Sequence, residues 1–150
     1  MKLKIPPAFV LILFGGLMYL LARFLPFGYF NFFGRIYLVY LLFVMAVGIV
    51  CIALLYFYRA KTSINPLLPS KASKLVNTGL YQYSRNPMYL GLLLLLLAWG
   101  LWLGNAFNTV LAAAFVYYMN AFQIGPEEQA LEQIFGKEYR YYCKQVRRWF

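Results

Sequence analysis

At 150 residues, with 63% hydrophobic and only 12% charged positions, the chain lies far outside the composition of a soluble globular domain and is long enough for one membrane-embedded unit. Its net charge of +10 comes from 14 lysines and arginines that stand at the ends of apolar segments, which marks membrane topology and argues against a nucleic-acid-binding domain. There is no histidine and no aspartate, so the usual zinc sites, imidazole base catalysis and Ser-His-Asp arrangements cannot be built from this chain, and no metal site is expected.

In chain order, residues 7–25 form an apolar run behind Lys2 and Lys4, about 28 Å long as a helix and sufficient to span a bilayer. Leu21-Ala22-Arg23 is a poor small-residue cleavage site, so this run is read as a first transmembrane helix and not as a signal peptide. Pro26, Gly28, Asn31 and Gly34 mark an aromatic-rich turn, and residues 36–58 form a second span. Residues 59–86 carry Arg59, Lys61, Lys71, Lys74 and Arg85 among Pro66, Pro69 and Gly79, the pattern of a structured polar loop. Asn86 is placed to cap a helix whose first residue is Pro87. Residues 87–103 and 106–124 then form two more apolar runs, a helical hairpin turned by Gly104-Asn105. Cys51 lies in an apolar run and Cys143 in a charged tail, so no disulfide is expected.

The fold class expected is therefore an all-α integral membrane protein with four transmembrane helices and a C-terminal tail over residues 126–150. The charge distribution places both termini and the 59–86 loop in the cytoplasm, since the loop and the tail carry 5 basic residues each, the first turn 2 and the hairpin tip none. In the tail, Phe135, Tyr139, Tyr142, Val146 and Trp149 recur at helical spacing beside Lys137, Arg140, Lys144 and Arg147. This amphipathic helix is expected on the membrane surface or over the polar loop, with a break at Gly136.

All 4 acidic residues, Glu127, Glu128, Glu132 and Glu138, fall in the last 24 positions. Glu127 and Glu128 follow the fourth span, where a favourable helix-dipole position is the ordinary reason for an acid. On the expected topology, however, they share one membrane boundary with Arg85 and Asn86, beside Tyr81, Tyr83 and Tyr89. Opposite charges there form a candidate pocket for a zwitterionic ligand. The competing reading is an ion pair that pins the hairpin to the tail.

The stretch LVNTGLYQYSRNPMYLG, followed by PEEQALEQIFGKEYRYYCKQV, resembles the membrane methyltransferases related to isoprenylcysteine carboxyl methyltransferase and the phospholipid methyltransferases. The likeness covers roughly residues 58 to 148. It implies a small helical bundle that holds S-adenosylmethionine at its cytoplasmic side, in a bacterial or archaeal inner membrane, with a lipophilic or lipid methyl acceptor arriving from the bilayer. Carried across by position, Arg85, Asn86, Pro87, Tyr89 and Gly91 match the first motif and Glu127, Glu128 and Leu131 the second. The resemblance implies that these residues, with Tyr81, line the cofactor site, and that Arg85, Glu127 and Glu128 act in catalysis. Asn86 stands where the isoprenylcysteine enzymes carry histidine, and no basic residue occurs between Arg85 and Lys137 to meet a prenylcysteine carboxylate. No G-x-G-x-x-G is present, which excludes the soluble nucleotide-binding route to this cofactor. A non-catalytic membrane interaction protein, docking a partner through hairpin and basic tail, is the reading from another class.

Overall fold

Helices dominate the residues that the computed structural model describes, 5–25, 27–60 and 74–150. They are α1 (Pro7–Phe24), α2 (Arg35–Ala60), α3 (Pro87–Leu103), α4 (Asn108–Tyr118), α5 (Gly125–Phe135) and α6 (Lys137–Gln145). A short 3-10 turn occupies Gly79–Gln82 and a π-helical turn Met119–Ile124. The all-α class holds, and no strand occurs among the described residues. Residues 1–4, Pro26 and residues 61–73, nearly half of the expected polar loop, lie outside the described residues.

Among the described helices, α1 with 18 residues and α2 with 26 are long and apolar enough to cross a bilayer by themselves. α3 has 17 residues, and the expected span 106–124 divides into the 11 residues of α4 and the 6 of the π turn. The division has a local cause. Pro126 cannot donate to the carbonyl four residues earlier and its ring crowds that turn. The chain widens there, and Gly125 donates its N–H to the Asn120 carbonyl five residues back. The tail expected from residue 126 onward therefore begins as a continuation of α4. Glu127 and Glu128 thus stand on a helical extension of the bundle, and a free helix terminus does not account for them.

Packing follows the side-chain periodicity. Val10, Phe14 and Met18, four residues apart, bury one face of α1 against Leu96, Ala112, Phe115 and Met119, with the Phe14 and Phe115 rings edge to face at 5.6 Å. The buried residues of α2, Val39, Ala46 and Ala53, recur every seventh position, and two of them are small enough to let α3 approach closely. At the contact, a Cβ on Gly91 would overlap Val50 Cγ2 and lie 3.1 Å from the Ala46 carbonyl oxygen. Phe9, Ile12, Leu13, Tyr37, Leu41 and Val44 remain exposed, an apolar perimeter suited to lipid.

The hairpin tip is fastened to the α1–α2 turn. Buried Asn105 donates through Nδ2 to the carbonyls of Leu25 at 2.8 Å and Phe27 at 3.2 Å, and Phe30 donates its N–H to the Gly104 carbonyl at 2.9 Å. Gly104 ends α3 in the left-handed conformation, φ 69°.

The close α2–α3 approach makes a prediction. Gly91→Ala should cost about 1–3 kcal/mol of stability through overpacking, because the Ala46 backbone cannot yield as a side chain can. Gly48→Ala, where a Cβ meets nothing within 4 Å, should be neutral or stabilising. Thermal unfolding in detergent reads both, and equal effects would show that Gly91 is not a packing contact.

Candidate functional site

The approach to α3 is shaped first by Gly79, whose positive φ of 62° lets the chain turn over Tyr56. Tyr81 follows, buried edge to face against Phe57 at 5.4 Å. The chain then passes through Ser84, Arg85 and Asn86 into α3, and here the C-terminal segment returns. Arg85 donates its backbone N–H to the Arg147 carbonyl at 3.0 Å, and Asn86 Nδ2 donates to the Arg148 carbonyl at 3.0 Å. The Tyr142 hydroxyl donates to the Tyr81 carbonyl at 2.6 Å.

Asn86 does occupy the N-cap position of α3, but its side chain makes no capping hydrogen bond. It is spent on the returning tail, and its own backbone N–H donates to Ser84 Oγ at 3.1 Å. The amphipathic stripe of the tail explains why the return occurs. Tyr139, Tyr142 and Val146 are buried together with Leu75, Leu131, Phe135 and Cys143 at their side, while Lys137, Arg140, Lys144 and Arg147 face water. The tail thus packs over the end of the loop, against Leu75, Tyr81, Arg85 and Asn86. Gly136, with φ 51°, breaks it into α5 and α6 as expected.

The two glutamates have different partners. Glu128 is held between two arginines: Arg85 Nη2 lies 3.1 Å from Oε1, and Arg148 approaches both oxygens, with Nε donating to Oε1 at 3.2 Å. This hydrogen-bonded carboxylate raises the affinity of Arg148 for its proton. Glu127 makes no ion pair with a described residue. Its one recorded partner is the Tyr89 hydroxyl, which donates to Oε2 at 2.9 Å. Burial pushes the Glu127 carboxyl up to about 7, the Tyr89 hydrogen bond opposes this, and the neighbouring Glu128 charge adds to it. Tyr81 is raised too, by burial first and by the Glu127 charge second, so it stays neutral. Arg85 Nε is buried with no partner among the described residues.

The structure therefore brings Arg85, Asn86, Tyr89, Glu127 and Glu128 together at the start of α3, with buried Pro87 opening the helix and Tyr81 alongside. Gly91 faces α2, Leu131 belongs to the apolar cluster of the tail, and Tyr83 points out to solvent. Beyond Glu128 a cleft of about 390 Å³ opens between α5 and α6, lined by Gln129, Glu132, Tyr139, Arg140 and Arg148. Arg148 has little signal in the sequence, since it lies one residue outside the basic stripe. Trp149, the last position of the apolar stripe, donates Nε1–H to Asn120 Oδ1 in the π turn at 3.1 Å. Among the described residues no group of acids and cysteines could hold a metal ion.

Comparison with known proteins adds an independent line. The phospholipid methyltransferase family matches residues 34–138. An uncharacterised protein of Haemophilus influenzae is 55% identical over 62 residues, which is 41% of this chain and 98% of that one. The protein-S-isoprenylcysteine O-methyltransferase of Schizosaccharomyces pombe is 33% identical over 91 residues, 59% of this chain and 39% of that enzyme. Protein-S-isoprenylcysteine O-methyltransferase B of Arabidopsis thaliana is 32% identical over 88 residues, 59% of this chain and 45% of that enzyme. This chain thus spans less than half the length of the two named enzymes. No solved structure matches it.

Two outcomes follow from the site. Glu128→Gln leaves two arginines without their anion and should cost about 2–4 kcal/mol, whereas Arg140→Gln, which loses only an exposed pair at 3.7 Å to Glu132, should stay within about 0.5 kcal/mol. Chemical or thermal unfolding of both variants checks the contrast. The second outcome concerns pH. Folded Glu127 holds its proton to about 7, against 4.5 for the ordinary group, so between these values the folded state binds more protons than the unfolded one. Its contribution is most favourable below 4.5 and is lost as pH rises through 7. The melting temperature of the wild type relative to Glu127→Gln should therefore fall from pH 5 to pH 8. A rise would mean that the carboxylate has a cationic partner.

Proposed function

The chain belongs to the phospholipid methyltransferase family, and on that premise we propose that it is an integral membrane enzyme transferring a methyl group from S-adenosylmethionine to a lipophilic or lipid acceptor. The observation that carries the reading is Glu127: a carboxyl group withdrawn from water, held by Tyr89 and without a counter-ion among the described residues, beside a Glu128 already neutralised by two arginines. A site built this way is complementary to a positive charge.

The residues fit the amino-acid end of this cofactor. An ammonium set against Glu127 would favour its ionised form, and a carboxylate reaching Arg85 Nε would satisfy a buried donor that has no partner among the described residues. Tyr81, Tyr89 and Tyr139 offer neutral aromatic surfaces at the same place, which tolerate a sulfonium. Bound S-adenosylmethionine supplies an electrophilic methyl group. Alignment and exclusion of water are left to the chain, and the clasp of Arg85 and Asn86 to the tail provides the closed wall that both require. Carboxyl and amine acceptors both fall within the proposal, and identification of the methylated product separates them.

We further propose that α3 and the continuous α4–π turn segment cross the membrane with α1 and α2, and that both termini, the 59–86 loop and the 126–150 tail face the cytoplasm. The supporting pattern is the basic residues, 5 in the loop and 5 in the tail. A reporter cysteine at exposed Ala106 would test it, because Asn105 beside it is buried. Labelling of that cysteine from the cytoplasmic side alone would reverse the topology.

Affinity measurements test the site. Glu127→Gln should weaken S-adenosylmethionine binding by about 1.5–3 kcal/mol, roughly 10- to 150-fold, with a comparable loss for Arg85→Gln and almost none for exposed Glu132→Gln. The wild type should also move labelled methyl groups from the cofactor into a lipid extract. Equal, small effects at all three positions, or no transfer by the wild type, would favour a non-catalytic membrane interaction protein.

A further inference from the structure

At the opposite end of the bundle, about 22 Å along α3 from Pro87, a second feature has no part in methyl transfer. Arg35 opens α2 with its guanidinium over Gly104, where any Cβ would overlap Nη1, and Nη1 donates to the Phe30 carbonyl at 2.9 Å. The group is positioned but not neutralised. Every side-chain carboxylate of the chain lies between residues 127 and 138, and none of the ion pairs among the described residues includes Arg35.

Arg35 lines a hollow of about 420 Å³ with Asn31, Phe32, Gly34 and Trp102. A second hollow, about 320 Å³, is almost wholly apolar and runs between α2 and α3 past Phe43, Leu95, Ala98 and Trp99. Both are walled by Val39 and Trp102, so the two hollows adjoin, and together they give a furrow with a cationic head beside an apolar length. Exposed Tyr29, Phe32, Phe33, Tyr37 and Phe107 surround the head, the aromatic density of a membrane interface.

We propose that this furrow is a binding site for one anionic phospholipid, the phosphate on Arg35 and Asn31 and one acyl chain lying between α2 and α3. Charge complementarity selects this occupant. A second copy of the chain would bring another arginine to the same place and no carboxylate at this end of the bundle. The lipid here is a bound companion, not the methyl acceptor, so this inference and the proposed activity can fail separately.

Tryptophan quenching reads the furrow directly, because Trp99 and Trp102 line it and the chain's third tryptophan, Trp149, sits at the other end as a common background. The full chain is placed in phosphatidylcholine bilayers doped with brominated-chain phosphatidylglycerol or brominated-chain phosphatidylcholine. The wild type should prefer the anionic lipid by about fivefold, the effect of one interfacial cation. Arg35→Gln should equalise the two lipids, while Arg23→Gln, an exposed cation at the end of α1 that does not line the furrow, should keep the preference. Equal quenching by the two headgroups in the wild type overturns the site and needs no variant to fold. Loss of the preference to the same extent in Arg23→Gln also overturns it, by reducing the effect to general surface charge.

Discussion

The return of the C-terminal segment to the start of α3 is the constraint on which the site depends. Burial of Tyr139, Tyr142 and Val146 beside Leu131 and Leu75 supplies the non-directional drive for that return. The polar contacts then fix its register: the Arg147 and Arg148 carbonyls on Arg85 and Asn86, Tyr142 on the Tyr81 carbonyl, and Glu128 between two arginines. Without these, each of the groups at the mouth of α3 would face water, where a lone glutamate has no unusual property. With them, Glu127 is enclosed beside an ion-paired neighbour and, among the described residues, has no cationic partner of its own.

This division between adjacent glutamates follows from helix geometry. Neighbouring residues on a helix point about 100° apart, so Glu127 is directed at Tyr89 on α3 while Glu128 is directed at the tail. The pair therefore bears on both readings that the sequence supports: Glu128 forms the ion pair that pins hairpin to tail, and Glu127 is the carboxylate that the proposed ligand would meet. The π turn sets the aim of both, because it changes the helix phase just before them, and Trp149 holds that turn through Asn120.

Much of the architecture was legible in the sequence because it is set by local signals. The helix limits at Pro7, Pro87 and Gly104 follow from proline at a first turn and glycine after a last one. The break at Gly136 and the inward stripe of the tail follow from backbone freedom and periodicity. The charged constellation was legible as well, since so few charges exist that the acids and Arg85 had only one boundary to share. What was not legible depends on three-dimensional partners. Asn86 has the sequence signature of a cap, but its side chain is oriented by donating Nδ2–H to the Arg148 carbonyl and makes no capping bond to the helix. Gly91 sits within a ligand-like motif, yet the structure gives it a packing reason in the Ala46 backbone of α2. Arg148 lies outside every periodic pattern, and only the position of Glu128 in space reveals it.

The measurement that tests the central claim most directly is titration of S-adenosylmethionine into a chain ending at Gln145, compared with the full chain in the same detergent. That truncation keeps Arg85, Tyr89, Glu127 and Glu128 with α5 and α6, and removes only Arg147, Arg148 and Trp149, which close the clasp, along with Val146 and Phe150. The account predicts that affinity falls by at least about tenfold while the helical circular dichroism survives, since a charge-assisted site loses its value when it opens to water. Unchanged affinity would show that the returning tail does not build the site.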